Sequence, residues 1–188
     1  IQRMDVGIDT GDIIDYVSTP IFEEETAGEL SERLADLGSK LLLEVLDKLE
    51  QGSAILTQQE HINATVTSKI SKNDAVINWN KSTKEIKSLI LGTNPNPIAR
   101  TTLGENQIKV YRARTANITL SEEEKMLKPG TVLPTSSVKA GVFVKTGDTA
   151  IELLEMQMPG GKILPAKVLM NGRKINPYDA FKQVIQIY

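Results

Sequence analysis

Residues 142–175 read VFVKTGDTAIELLEMQMPGGKILPAKVLMNGRKI. Two apolar, β-branched runs flank the turn TGD, so GVFVKTG (141–147) and TAIELLEMQM (149–158) are expected to form a hairpin. Pro165 then opens a short apolar helix, AKVLMN, which Gly172 ends. Working upstream, KPG introduces a further strand, GTVLPT (130–135), and LGEN precedes another, QIKVYRA (107–113). Short strands at this spacing predict a small barrel.

Ahead of these strands, STKEIKSLILG predicts a helix. Ser82 and Glu85 form its capping box, and Gly92 supplies its stop. TNPNP follows, and Pro95 and Pro97 force a turn. Residues 53–78 are polar with short apolar stops and read as a linker. Before them, EEETAGELSERLADLGSKLLLEVLDKLEQG predicts a long helix with a capping box at Thr26 and Glu29. Glu23, Glu24 and Glu25 crowd its positive end. Leu30, Leu34, Leu37, Leu41 and Val45 recur at helical spacing, and Gly52 ends it. IIDYVSTPIF (13–22) is expected to be a strand. One strand and one helix cannot bury that leucine face, so both are read as the end of an α/β domain. The class is α+β, with 1–52 closing an α/β body, 53–78 a linker and 79–188 the strand-rich domain.

The chain has 188 residues, 40% hydrophobic and 24% charged, enough for one large or two small domains. It has no cysteine, which excludes disulfides and thiolate chemistry and fits a reducing compartment. No apolar run approaches the ~18 residues of a membrane span. Ile1 in place of Met leads us to expect a fragment or processed product. The net charge of −2 conceals an asymmetry: 6 Lys+Arg against 15 Asp+Glu through Asn78, then 16 against 9 from Trp79 onward. Such a sign change suggests two bodies with different partners.

MDVGIDTGDII (4–14) places Asp5, Asp9 and Asp12 among glycines ahead of the expected strand. This loop resembles the D-x-G-[DP] loop of the folate-dependent formyltransferases. KISKNDAVINWNKSTKEIKSLILGTNPNPIA, KPGTV and the 142–175 stretch resemble, in order, the second domain of the methionyl-tRNA formyltransferase family. The likeness covers essentially the whole chain. It departs at Asn96, where an aromatic is expected between the prolines.

The resemblance implies a Rossmann-like formyltransferase domain ending at residue 52 and an OB-like β-barrel at 79–188. It implies formyl transfer from 10-formyltetrahydrofolate to the α-amine of methionine on initiator tRNA, in the cytoplasm, by a monomer with no membrane and no metal. An amine attacking a formyl carbon generates an oxyanion and a cationic nitrogen, which need a stabiliser and a proton acceptor. In the family an Asn and a His, two positions apart and upstream of residue 1, do this, and an Asp pairs with the His. Asp9 matches that Asp, and an aspartate of reference pKa ~3.9 favours an imidazolium beside it. Gly7, Ile8, Asp9 and Gly11 would approach the folate. Read without the resemblance, Asp9 is foremost a turn-capping residue, because Asp is common in such loops. Asp5 and Asp12 read as turn residues, His61 as a solvated or packing residue, and Trp79 as a core anchor.

The basic half fits a polyanion, since Lys and Arg neutralise phosphates. The candidate tRNA-binding residues are Lys69, Lys72, Lys109, Arg112, Lys162, Lys167, Arg173 and Lys174, with Arg114 on the same strand. In a regular strand 112 and 114 share a face and 109 lies opposite. The ordinary alternative is a solvated charged face. Two other functions stay open: formylation of a nucleotide-sugar amine, and an OB-type RNA-binding module without chemistry of its own.

Overall fold

Thr26 sets the first helix. In the computed structural model, which describes residues 1–139 and 141–184, its hydroxyl accepts from the Glu29 backbone N–H at 3.2 Å. The Glu29 carboxylate in turn accepts from the Thr26 N–H at 2.9 Å. This reciprocal cap satisfies two otherwise orphaned donors and starts α1, Ala27–Glu50. Gly52, at φ +68°, ends the helix. The Gly52 N–H donates to the Leu49 carbonyl and the Ser53 N–H to that of Lys48, the paired bonds of a Schellman stop.

The chain divides into two units, Ile1–Lys69 and Ile70–Tyr188. The first is α1 with irregular chain around it. Arg33 ties the approach segment to the helix: its guanidinium pairs with Glu25 at 2.7 Å, donates to the Pro20 carbonyl and the Thr19 hydroxyl, and lies 4.5 Å over the Phe22 ring. Of the five leucine and valine positions read as one apolar stripe, Val45 is buried, while Leu34 is 46% exposed. Residues 13–22 do not form the expected strand. Among the described residues of this stretch Ile13 alone makes bridges, to Gln2 and Thr57, and the further backbone bonds of Ile14 and Asp15 go to Ile1, too short a stretch for a ladder.

The second unit begins with an alternating run in which Ala75, Ile77 and Trp79 point into the core. α2, Thr83–Gly92, follows with its Ser82–Glu85 capping box formed. Asn94–Pro95 and Asn96–Pro97 are cis and carry the chain into β1, Ala99–Leu103. β1 pairs with β2, Asn106–Thr115, through the Gly104 turn. Two short helices, α3 (Glu122–Met126) and α4 (Thr135–Val138), lead to β3 (Val142–Lys145). β3 is joined by the TGD turn to β4, Ala150–Gln157. β5 (Ile163–Pro165), α5 (Ala166–Asn171) and β6 (Phe181–Lys182) complete the described elements.

The sheet is antiparallel and ordered β3-β4-β2-β1-β6, with β5 also on β4. The segment expected as a strand at 130–135 makes isolated bridges instead. The Lys145 and Leu133 N–H groups bond between this segment and β3, and Val132 and Phe181 bond between it and residues 179–181. The sheet is therefore curled, its β3 end linked through 130–133 to the chain entering β6.

The core lies inside this curl. Ile77, Ile86, Ile90, Ile108, Val110, Ile151, Met156 and Phe181 are each at most 2% exposed. Each such side chain contributes roughly 1.5–3 kcal/mol of apolar burial. Trp79 stacks on Phe181 with ring centroids 5.6 Å apart, and its indole N–H donates to the Thr101 hydroxyl at 2.9 Å. Gly130, at φ +93°, lets the chain pass these rings: a Cβ there would lie 2.3 Å from the Phe181 carbonyl oxygen. Among the described residues no helix is long and apolar enough to cross a membrane.

Candidate functional site

The 4–14 loop is built by its glycines and by one distant amide. Gly11 is buried, and a Cβ on it would fall 1.7 Å from the Arg3 carbonyl oxygen, so only glycine lets these two stretches of loop meet. A Cβ on Gly7 would meet only the Thr10 side chain, at 2.5 Å. The loop is closed by the Arg3 N–H bonding to the Asp12 carbonyl at 2.9 Å and by mutual bonds between Ile13 and Thr57, both 2.8 Å.

Gln59 holds the tip. Its Nε2 donates to the Gly11 carbonyl at 2.6 Å and to that of Asp9 at 3.0 Å, and lies 3.3 Å from Gln2 Oε1. Asp9 adopts φ +57°, a left-handed conformation that aspartate tolerates better than most residues. Its Oδ1 accepts from Gln2 Nε2 at 3.0 Å. Oδ2 has no hydrogen-bond partner among the described residues, and the side chain is exposed. Ile8, Val6 and Met4 project into solvent beside it, each more than 90% exposed. The loop thus offers one free carboxylate oxygen beside apolar side chains, on a backbone fixed from behind.

The neighbouring acids do different work. Asp5 accepts from the Val6 N–H at 2.8 Å, Asp12 pairs with Arg3 at 3.1 Å, and Asp15 pairs with Lys48 at 2.6 Å. The Lys48 hydrogen bond, helped by the Tyr16 N–H, holds the Asp15 carboxyl below its ordinary value. His61 is exposed in a 3₁₀ turn, His61–Asn63. Asn96 is exposed. Among the described residues no group of three or more His, Asp or Glu side chains is placed to hold a metal ion.

The cations are spread over several elements. Lys69 and Lys72 are exposed where the second unit begins, Lys109 on β2, Lys162 in the β4–β5 turn, Lys167 on α5, and Arg173 and Lys174 just after it. The strand register departs from regular alternation. β2 shifts against β4 between Val110 and Arg112 and again between Arg112 and Ala113. Ile108, Val110 and Ala113 are buried, so this β-bulge brings Lys109 and Arg114 to the same outer face. β4 answers both arginines with carboxylates: Arg112 lies 3.8 Å from Glu155 and Arg114 2.7 Å from Glu152. Sequence reading missed these pairings because the register is set by bulges, and it missed Gln59 because the amide acts across 48 residues.

The chain belongs to the formyl transferase family, as matches to two family profiles show. A profile described as "Formyl transferase, C-terminal domain" matches residues 69–174, and one described as "Formyl transferase" matches residues 1–46. In particular, the chain is similar to methionyl-tRNA formyltransferases. It is 35% identical over 94% of its length to that of Halothermothrix orenii and 36% identical over 92% to that of Alkaliphilus metalliredigens. It spans 55% and 52% of those two proteins, about half of each. The crystal structure of HypX from Aquifex aeolicus in complex with tetrahydrofolic acid shares the fold. Its TM-score is 0.64 at 20% identity, covering 97% of this chain and 32% of that one.

Proposed function

We propose that this chain is the C-terminal portion of a methionyl-tRNA formyltransferase, which transfers the formyl group of 10-formyltetrahydrofolate to the α-amine of methionine on initiator tRNA. The observation that carries the reading is the 35–36% identity over more than nine-tenths of the chain to enzymes of that name. The layout follows. Residues 1–52 end the catalytic domain. Residues 53–78 are the connection, its last part, from Ile70, belonging to the second unit. Residues 79–188 are an OB-like barrel, a reading supported by the hydrogen bonds through 130–133 that link the two ends of the sheet.

In this account Asp9 is the catalytic carboxylate. Its Oδ2 is open to accept a proton or to pair with an imidazolium contributed by the remainder of the enzyme, while Gln2 and Gln59 fix its position. Gly7, Ile8 and Gly11 lie against the folate. The amine loses a proton as the C–N bond forms, and tetrahydrofolate nitrogen regains one as it leaves, so an ionised carboxylate beside a protonated imidazole serves both transfers. Lys69, Lys72, Lys109, Arg112, Lys162, Lys167, Arg173 and Lys174 supply the tRNA-binding charge. Arg112 is the weakest of these, since Glu155 faces it.

The test is acceptor specificity. The full-length enzyme is given 10-formyltetrahydrofolate with either charged initiator tRNA or an amino-sugar nucleotide. Formylmethionyl-tRNA as product supports the reading, and formylation of the sugar alone refutes it.

A further inference from the structure

Arg100 on β1 and Lys109 on β2 are direct partners in the antiparallel register, so their side chains leave the same face of the sheet side by side. Like charges placed opposite one another destabilise a strand pair. Elsewhere this sheet sets carboxylates opposite its arginines, Glu155 at Arg112 and Glu152 at Arg114. No carboxylate pairs with Arg100 or Lys109 among the described residues. The Arg100 guanidinium is nevertheless fixed: one terminal nitrogen donates to the Lys72 carbonyl at 2.6 Å, while Nε is buried with no partner. An unmet buried donor is costly to keep, the more so on a charged group. The fold thus sets two cations side by side with no carboxylate between them.

A guanidinium and an ammonium side by side suit a phosphate, whose oxygens accept from both together. The adjoining groove, about 400 Å³, runs from Lys109 past Gln107, Asn106 and Gln157 to Glu105. Amides and a carboxylate in such a groove can bond ribose hydroxyls and base edges. The groove is open rather than enclosed, which suits a chain passing across it. Resting on the tRNA reading above, we propose that Arg100 and Lys109 form a phosphate site on the outer β1–β2 face that grips one or two phosphodiesters of the RNA backbone.

The experiment measures tRNA affinity of the full-length enzyme by fluorescence anisotropy over a series of salt concentrations. The double variant R100Q/K109Q should lower the slope of log affinity against log salt by about 0.7–0.9 for each phosphate the protein no longer neutralises. K81Q, whose lysine pairs with Glu85 on α2, should match the wild type. In low salt K109Q should melt no lower than the wild type, because one of two opposed like charges is gone; a purely structural lysine would give a lower melting temperature. A wild-type slope in the double variant, with tRNA still bound, overturns the site and leaves the tRNA reading standing. That slope combined with a loss of inorganic phosphate binding would make it a small-anion site and overturn the RNA assignment. Failure of the wild-type enzyme to bind tRNA at all overturns the functional reading itself.

Discussion

Asp148, in the turn between β3 and β4, accepts a hydrogen bond from the Thr83 backbone N–H at the first residue of α2, at 2.8 Å. The same Oδ1 receives the Thr83 hydroxyl at 3.0 Å, the Thr146 hydroxyl at 2.9 Å and the Thr149 N–H at 2.7 Å. A hairpin carboxylate thereby satisfies an orphaned helix donor and meets the positive end of the helix dipole. Burial opposes ionisation of Asp148, but the donors of Thr83, Thr146 and Thr149 outweigh it and hold its carboxyl down at about 2.

Because the folded-state value is depressed from 3.8, the stabilisation from Asp148 is full above about pH 4 and is lost as pH falls through about 2. Asp148→Asn should lower the melting temperature at pH 7 by several degrees, for a loss of about 1 kcal/mol. The gap between variant and wild type should close between pH 4 and 2. Thermal melts across that range check it; a gap independent of pH would assign the effect to shape rather than charge.

Gly130→Ala should destabilise the second unit by about 2 kcal/mol or more. The new Cβ meets the Phe181 carbonyl oxygen at 2.3 Å and the Trp79 ring at 3.3 Å, on a backbone at φ +93°. Urea denaturation followed by Trp79 fluorescence measures it. Gly160→Ala is a useful comparison, being also left-handed but with open space around it, and should cost about 1 kcal/mol.

Gly11→Ala should disable the acidic loop, whereas Gly7→Ala should be milder. The first sets a methyl 1.7 Å from backbone, the second 2.5 Å from a threonine side chain that can rotate. Limited proteolysis of residues 4–14 and formyl-transfer rates, measured on the full-length enzyme, should rank the two variants in that order. Equal behaviour would show that the Arg3–Gly11 approach is not needed.

Gln59→Ala releases the carbonyls of Asp9 and Gly11 from their shared donor. Misplacing a catalytic group by about 1 Å can cost up to ~10²-fold, so a fall of about tenfold or more in kcat is expected, with KM for tRNA unchanged. An effect on KM alone would place Gln59 in binding rather than positioning.

Much of the architecture was legible because it is local. The Thr26–Glu29 and Ser82–Glu85 capping boxes, the TGD hairpin and Pro165 each act within a few residues, and each formed as expected. What escaped reading depends on distant chain. Residues 13–22 look strand-like, yet among the described residues only Ile13 makes a strand bridge. ARTTL became β1 because β2 and β6 flank it, not by its own propensity. α3 is the exception, since its Ser121–Glu124 capping box is local but lies in a short charged run. Its Glu124 is buried; burial opposes its ionisation, and bonds from Thr135 and Ser121 outweigh that. At the candidate site, Asp9 and its glycines were visible as a motif, whereas Gln59, Arg100 and the carboxylates facing Arg112 and Arg114 required the register.

The central claim is that the Asp9 carboxylate completes the formyl-transfer centre, and Asp9→Asn in the full-length enzyme tests it most directly. The substitution preserves shape and the Gln2 hydrogen bond but removes the charge. Single-turnover formylation of charged initiator tRNA should slow by about 10²–10⁴-fold, with tRNA affinity and melting temperature at wild-type values. A variant that formylates at the wild-type rate would contradict the account.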